Sequence, residues 1–190
     1  MEYSNLFRMP TPMKITGRSS SITNAFINSI IPVIQPSEEE IKESLDILGM
    51  DPKSFQCAYC GATASEWDHL RPLVMNQQPT GYISEIQNLV PACGKCNQSK
   101  GNREWKVWIQ SKAKLSPKAR GIPDLAERIT RLENYEMWGK PTKLNFAEMV
   151  GKDEWKKHWQ NWQTILGLMK EAQEHAEKIK TSIAHAHRML

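Results

Sequence analysis

The spacing of apolar residues along this chain predicts helices on both sides of a central segment that has a different pattern. Across residues 21–34 the apolar side chains recur every three or four positions, which predicts a first helix. Residues 37–48 repeat that spacing. Ser37 and Glu40 are placed as a capping box that begins a helix, and Gly49 is placed to end it. Two helices are therefore expected before residue 52.

Three more helical patterns occupy the second half of the chain. Residues 97–111 are expected to be helical with a break near Gly101, residues 125–138 form a second pattern, and a long helix begins near Lys152. The long helix carries one apolar stripe, which predicts burial against its own domain or a seam between two copies of the chain. The stripe consists of Trp155, Trp159, Trp162, Leu166, Met169, Ala176 and Ile183.

Residues 53–101 lack the helical period and show short apolar runs between paired cysteines. This pattern predicts short strands separated by loops, so the expected fold class is α+β, a small central unit flanked by N- and C-terminal helices. We divide the chain into an N-terminal arm with helices (1–52), a central module (53–112) and a C-terminal helical region (113–190).

Composition is typical of a globular protein. Apolar residues make up 39% of the chain, which is enough for a core. No apolar run approaches the roughly 20 residues that span a bilayer, and the first residues lack the pattern of a secretory signal. We expect a cytoplasmic protein with no membrane partner and no small-molecule cofactor.

The net charge of +4 is concentrated in one segment. Residues 95–120 hold eight basic residues and one acidic residue, so their local charge exceeds that of the whole chain. Such a block suits a polyanionic partner, with nucleic acid as the leading candidate. The alternative is a solvated basic face that binds nothing.

Two Cys-x-x-Cys pairs frame the central module, Cys57 with Cys60 and Cys93 with Cys96. Each pair lets two thiolates meet one ion from a tight turn, and four thiolates make a closed tetrahedral zinc site with no position for substrate. The alternatives are four reduced core cysteines or two disulfides, but paired Cys-x-x-Cys in a cytosolic chain favours metal. We predict a structural zinc whose binding energy supports the fold.

Three polar motifs stand between and after the cysteine pairs. Asp-His-Leu-Arg-Pro begins at Asp68, Asn-Leu begins at Asn88, and Asn-Gln-Ser-Lys-Gly begins at Asn97. In this order, residues 56–102 resemble the HNH, or ββα-metal, endonuclease family with a four-cysteine zinc site. The resemblance covers about a quarter of the chain and implies metal-dependent hydrolysis of phosphodiester bonds in DNA.

The first motif supplies a base and a metal ligand. A neutral imidazole titrates near working pH, so His69 can take a proton from water. The resemblance implies that Asp68 and Asn97 hold a divalent ion at the scissile phosphate, and their oxygen atoms favour Mg²⁺ or Mn²⁺. Adjacent side chains of a strand point to opposite faces, so Asp68 and His69 reach one phosphate only if the strand twists or bulges at its end.

The resemblance assigns Asn88 to bracing the loop that carries the general base, since its amide can donate to and accept from backbone on both sides. Taken singly, these residues have plainer roles. Asp68 is a turn or cap residue, His69 a buried histidine, Asn88 a turn former and Asn97 an N-cap. Their joint order between two cysteine pairs favours the catalytic site.

We expect double-stranded DNA as the substrate and a restriction-type enzyme acting as a homodimer, since three quarters of the chain lies outside the motif region. The alternatives are a homing or phage-associated nicking enzyme, a zinc-ribbon nucleic-acid-binding module without catalysis, and an interaction protein acting through its C-terminal helix. The residues expected to contact DNA are Arg71, Lys95, Lys100, Arg103, Lys106, Lys112 and Lys114.

Overall fold

The computed structural model describes residues 7–189 and has the α+β architecture expected from the sequence. The first six residues of the predicted N-terminal arm lie outside the described residues. The helices are α1 (Ser19–Asn28), α2 (Glu38–Leu48), α3 (Gly94–Lys100), α4 (Trp105–Ile109), α5 (Leu125–Gly139), α6 (Phe146–Val150) and α7 (Lys152–Arg188). The strands are β1 (Glu66–His69), β2 (Val74–Met75), β3 (Gln78–Pro79) and β4 (Leu89–Ala92).

The second helix begins and ends as the sequence predicts. The Ser37 hydroxyl accepts from the Glu40 amide at 3.2 Å, and the Glu40 carboxylate accepts from the Ser37 amide at 2.8 Å. Gly49 closes α2 with a φ of 62°, a left-handed conformation that glycine adopts without steric penalty. Local sequence is thus sufficient to set both ends of α2.

The first helix is shorter than the predicted span of residues 21–34. It ends at Asn28, and the chain then becomes extended because Pro32 lacks the N–H that a helix interior needs. Val33 forms a parallel bridge with Ser84, a residue about fifty positions later. Apolar spacing alone did not reveal this change from helix to extended backbone.

The central unit is a ββα arrangement. β1 pairs antiparallel with β4, so that Asp68 lies opposite Val90 and His69 opposite Leu89. α3 follows β4 directly and packs on β1. The connection between the two strands contains the β2–β3 hairpin and a short 3-10 turn at Ile86–Asn88. The ladder continues through His69 without a bulge, so of the twist or bulge expected at this strand end only the twist stays a prediction.

The core of the central unit forms around aromatic side chains and the cysteines. Tyr59, Trp105 and Trp108 are fully buried, and the rings of Tyr59 and Trp108 meet edge to face at 5.1 Å. The predicted apolar stripe of residues 97–111 is therefore a core face, interrupted at Gly101 as expected. α5 closes this core with Leu132 and Tyr135.

Contacts divide the chain into two compact units. One comprises residues 27–149 and holds both sheets and α2 to α5. The other comprises the described residues up to Phe26 together with those from Val150 onward. These divisions fall at other places than the segments 1–52, 53–112 and 113–190, and that segmentation stays a prediction. Within the described residues, no helix is long and apolar enough to cross a membrane.

The stripe of α7 is less buried than the sequence predicts. Its tryptophan rings contact one another, and Trp162 donates to the Thr23 hydroxyl at 3.0 Å. Trp155 and Trp159 are half-buried, whereas Ile183 is 65% exposed, and no described residue of α7 is fully buried. Burial of the stripe within its own unit is therefore partial, because among the described residues this long helix packs mainly on short N-terminal elements. A seam between two copies of the chain stays a prediction.

Candidate active site and metal centre

The four cysteines meet at one point. Their sulfur atoms all lie within 4.8 Å of one another, and the Cys60 and Cys93 sulfurs are 3.7 Å apart. A tetrahedral zinc with Zn–S bonds of about 2.3 Å places its sulfurs about 3.8 Å apart, so the observed spacing fits zinc. It is far longer than the roughly 2 Å of a disulfide, and all four cysteines are free.

Two arginines contact the cysteine cluster, and the cysteine thiols shift one another's pKa. The Arg120 guanidinium lies 3.4 Å from the Cys96 sulfur, and Arg128 donates to the Cys57 carbonyl at 3.3 Å. Hydrogen bonding to Cys57, and then to Cys60, raises the pKa of Cys96 well above its usual range. Sulfurs this crowded are all deprotonated together only when a metal ion supplies the compensating charge.

Asp68 lies on the inner face of β1 and is almost fully buried. Its carboxylate accepts from the Tyr59 hydroxyl at 2.6 Å and forms an ion pair with Lys100, whose ammonium lies 3.1 Å from Oδ2 and 3.3 Å from Oδ1. Burial raises the pKa of Asp68, while the charge of Lys100 and the Tyr59 hydrogen bond oppose that shift. The candidate metal ligand therefore already has a cationic partner within the protein.

His69 is the next residue of β1. Its Nε2 lies 2.8 Å from the Ser84 hydroxyl. Burial, and then the charge of Lys100, lowers the pKa of His69 to about 4. The imidazole is consequently neutral at pH 7, which is the form that can accept a proton from water.

Asn88 braces the loop that follows His69, as the resemblance implied. Its Oδ1 accepts from the Arg71 amide at 2.7 Å, and its Nδ2 donates to the carbonyls of Arg71 and Ile83 at 3.1 and 3.2 Å. The side chain is fully buried. α5 supports the same turn, because the Tyr135 hydroxyl contacts the Ile86 and Leu89 carbonyls. The brace therefore depends on a helix beyond the motif region.

Replacing Asn88 with alanine is expected to lower the free energy of unfolding by about 2–4 kcal/mol, because buried backbone groups lose their partners. Urea unfolding followed by tryptophan fluorescence measures this change. Asn102→Ala, at an exposed asparagine of the same unit, is the matched control and should stay close to the wild type. Equal unfolding midpoints for both variants would show that Asn88 does not support the loop.

Asn97 and Asp68 are on facing elements but contact different partners. The Asn97 amide donates to Glu66 Oε2 at 2.5 Å. This contact lies next to the Asp68–Lys100 ion pair, two residues earlier on β1 and three residues earlier on α3. Glu66 and Asp68 share a face of β1, and Asn97 and Lys100 share a face of α3. Glu66, Asp68 and Asn97 thus offer carboxylate and amide oxygens on facing elements, the donor types that Mg²⁺ or Mn²⁺ prefers. The chemistry of the donor set fits a divalent ion.

The basic residues of the motif region divide into paired and exposed groups. Lys100 has a side chain only 1% exposed and is held by Asp68 and the His69 carbonyl, so it is not placed to clamp a DNA phosphate as predicted. Arg71 is paired with Glu104 and Glu136. Lys106 is paired with Glu136 and Glu133, and Arg103 donates to backbone carbonyls of α3. Lys95, Lys112 and Lys114 have exposed side chains.

Four contacts at the site were not predicted from the motifs: those of Tyr59 and of Lys100 with Asp68, of Glu66 with Asn97, and of Ser84 with His69. Two of them carried a usable signal. Glu66 precedes Asp68 by two positions, the spacing that shares a strand face, and Lys100 follows Asn97 by three positions, the spacing that shares a helix face. Tyr59 and Ser84 carried no such signal because their contacts are with residues distant in sequence.

Comparison with known proteins agrees with the motifs and their geometry. Residues 57–103 match the profile of the HNH endonuclease family, described as "HNH endonuclease". This span contains all four cysteines, both residues of the Asp-His pair and both asparagines. The resemblance inferred from the sequence is therefore confirmed for this part of the chain.

Two curated proteins are similar to the same region. The CRISPR-associated endonuclease Cas9 of Corynebacterium diphtheriae is 32% identical over 89 residues, covering 38% of this chain and 8% of that protein. The CRISPR-associated endonuclease Cas9 of Actinomyces naeslundii is 36% identical over 72 residues, covering 34% of this chain and 6% of that protein. The match thus spans less than a tenth of either relative. No solved structure gives a significant match.

Proposed function

We propose that this chain, whose residues 57–103 form an HNH endonuclease domain, is a metal-dependent DNA endonuclease. The observation that carries the proposal is the neutral imidazole of His69, which directly follows Asp68 at the end of β1, contacts Ser84 and precedes the loop that Asn88 braces. Phosphodiester hydrolysis needs a base for the attacking water and positive charge beside the phosphate. His69 can supply the first.

Each residue of the candidate site has a defined part in the proposed reaction. His69 accepts the proton of the attacking water, and its burial keeps the ring neutral until the pH approaches 4. Asn88 touches backbone alone, so it fixes the loop and takes no proton. Tyr59 and Lys100 hold the Asp68 carboxylate in one orientation.

Asp68 and Asn97 are the residues that would hold a divalent ion, Mg²⁺ or Mn²⁺, with Glu66 beside them. When bound, such an ion would neutralise charge on the phosphate and on the leaving 3′ oxygen. The four cysteines would hold a separate structural zinc, because a closed tetrahedral set leaves no position for substrate.

Double-stranded DNA is the proposed substrate. The exposed basic residues are Lys95, which lies within the second cysteine pair, and Lys112 and Lys114, which follow it along the chain. They offer sequence-independent contacts to phosphates. Arg71 and Lys106 reach DNA only if they leave their carboxylate partners, Glu104, Glu133 and Glu136. Of the seven basic residues suggested by the sequence, these three lysines are the strongest candidates.

The finer proposal is a restriction-type enzyme that cuts both strands as a homodimer. Two-fold symmetry lets one catalytic unit act on each strand of a palindromic site. Exposed apolar side chains on α7, among them Leu168, Ile179 and Ile183, support contact with a second copy. One alternative is a nicking enzyme of the homing or phage-associated type, which would hydrolyse DNA in the same way but cut one strand. The other is a zinc-ribbon module that binds nucleic acid without cleaving it.

Cleavage of supercoiled plasmid and linear phage DNA tests the proposal. With Mg²⁺ or Mn²⁺ the wild-type chain should cut DNA, with EDTA it should not, and His69→Ala should lower the rate by about 10²–10⁴-fold. His175→Ala, at an exposed histidine of α7, is the matched control and should cut normally.

The form of the products separates the proposals. Discrete linear fragments support a restriction-type enzyme, whereas nicked circles alone support a nicking enzyme. DNA that is retarded on a gel but uncut in either metal would leave the binding module as the better description. Equal rates for His69→Ala and the wild type would remove His69 from the reaction.

A further inference from the structure

The imidazole of His69 makes a specific side-chain contact that the family motif does not contain. Its Nε2 lies 2.8 Å from the Ser84 hydroxyl, and both residues are half-buried. Ser84 stands fifteen positions after His69, in the connection between the two strands of the central sheet. It belongs to none of the sequence motifs.

The backbone of Ser84 is held from both sides by the segment 32–34. The Ser84 amide donates to the Pro32 carbonyl at 3.2 Å, and the Ile34 amide donates to the Ser84 carbonyl at 2.8 Å. These bonds form the parallel bridge between Val33 and Ser84. The segment that fixes Ser84 therefore precedes the family-matched residues 57–103.

This geometry assigns different parts to the two ring nitrogens. A neutral imidazole has one N–H and one lone pair, and the nitrogen that faces Ser84 is Nε2. A base needs a nitrogen with a lone pair directed at the attacking water, and Nε2 is engaged by the serine. The nitrogen left for water is Nδ1, which has its lone pair only when the proton is on Nε2.

We propose that Ser84 is the positioning residue for His69: its hydroxyl oxygen accepts from Nε2–H and holds the ring in the tautomer and orientation in which Nδ1 receives the proton of water. The water oxygen then bonds to phosphorus and the proton of water stays on Nδ1. The bond from phosphorus to the leaving 3′ oxygen breaks, and this oxygen keeps the electron pair and takes a proton from solvent to become a hydroxyl. This inference rests on the proposed nuclease function. It adds that the segment 32–34, outside the family-matched residues 57–103, sets the orientation of the base.

Ser84→Ala should lower kcat for cleavage of supercoiled plasmid by about tenfold, the value of one neutral hydrogen bond, without changing KM. Ser84→Thr keeps the hydroxyl and should restore the rate. Ile34→Pro removes the N–H that binds the Ser84 carbonyl and should lower kcat in the same way. Ser65→Ala, at an exposed serine of the same unit, is the control and should cut like the wild type.

Nitrogen-15 NMR of the full chain tests the tautomer independently of cleavage. The His69 signals, identified as those missing from His69→Ala, should show the proton on Nε2 in the wild type and faster exchange of that proton in Ser84→Ala. A proton found on Nδ1 overturns the inference, as does an unchanged kcat in Ser84→Ala. If either result is found while the wild type cuts DNA, the proposed nuclease function stands and the proposed role of Ser84 is wrong. A wild type that cuts no DNA overturns both.

Discussion

Replacing Cys96 with serine should unfold the central unit. The Cys96 sulfur is completely buried and is one of four that meet within 4.8 Å. Structural zinc sites contribute about 10–16 kcal/mol of apparent binding free energy, which matches or exceeds the roughly 5–15 kcal/mol that stabilises a whole domain. Three of the four cysteines also belong to the central hydrophobic core, so the metal site and the core are lost together.

Three measurements check this expectation. The wild-type chain should contain one zinc per molecule by elemental analysis, and a strong chelator should remove its thermal transition. Cys96→Ser should lack both the zinc and the near-UV circular dichroism of the buried tryptophans. Lowering the pH should also release the zinc, because protons compete with it for the thiolates. Ser54→Ala, at an exposed serine of the same unit, controls for expression and handling.

A wild-type chain that folds without zinc would contradict the prediction, as would a Cys96→Ser variant with an unchanged thermal transition. Sensitivity to reductant instead of chelator would point to disulfides. The sulfur distances argue against that outcome, since no pair is close enough for an S–S bond.

Replacing Lys100 with methionine is expected to lower the free energy of unfolding by about 3–5 kcal/mol at pH 7. Methionine fills similar space but leaves the buried Asp68 carboxylate with one donor, the Tyr59 hydroxyl. It also leaves the His69 carbonyl without its partner at 2.7 Å. The loss arises from an uncompensated buried charge, which is far more costly than the loss of an exposed ion pair.

The effect of Lys100→Met should depend on pH in a known direction. Burial already raises the pKa of Asp68, and removing the opposing charge of Lys100 raises it further in the variant. A carboxyl group with a raised pKa in the folded state binds more protons when folded, so acidification stabilises the variant relative to the wild type. The difference between the two should therefore be large at pH 7 and smaller at pH 5.

Urea unfolding at both pH values measures this difference. Lys106→Met is the matched control, because Lys106 is 48% exposed and pairs with Glu133 and Glu136 at the surface. That variant should lose less than about 1 kcal/mol. If Lys100→Met and Lys106→Met lose the same amount, Lys100 is not part of a buried pair. The double variant Asp68→Asn with Lys100→Met should lose less than the single changes added together.

Much of the fold could be predicted because its signals are local. The capping box of Ser37 and Glu40, the break at Gly101 and the start of α7 each depend on residues within one or two turns of the chain. α1 and the stripe of α7 were predicted less well. The first ends early where the chain pairs with Ser84, and the burial of the second depends on elements more than a hundred positions away.

Residue types and their spacing were enough to identify the chemistry available to the site: four thiols at metal-binding spacing, an imidazole that follows a carboxylate in the chain, and two asparagines in a recognisable order. These are properties of residue type and spacing. Which of these groups contact one another depends on the folded chain, as the pairing of Asp68 with Lys100 and of His69 with Ser84 shows. Hydrogen bonds and ion pairs form between atoms a few ångströms apart, and only the folded chain brings residues fifteen or thirty positions apart to that distance.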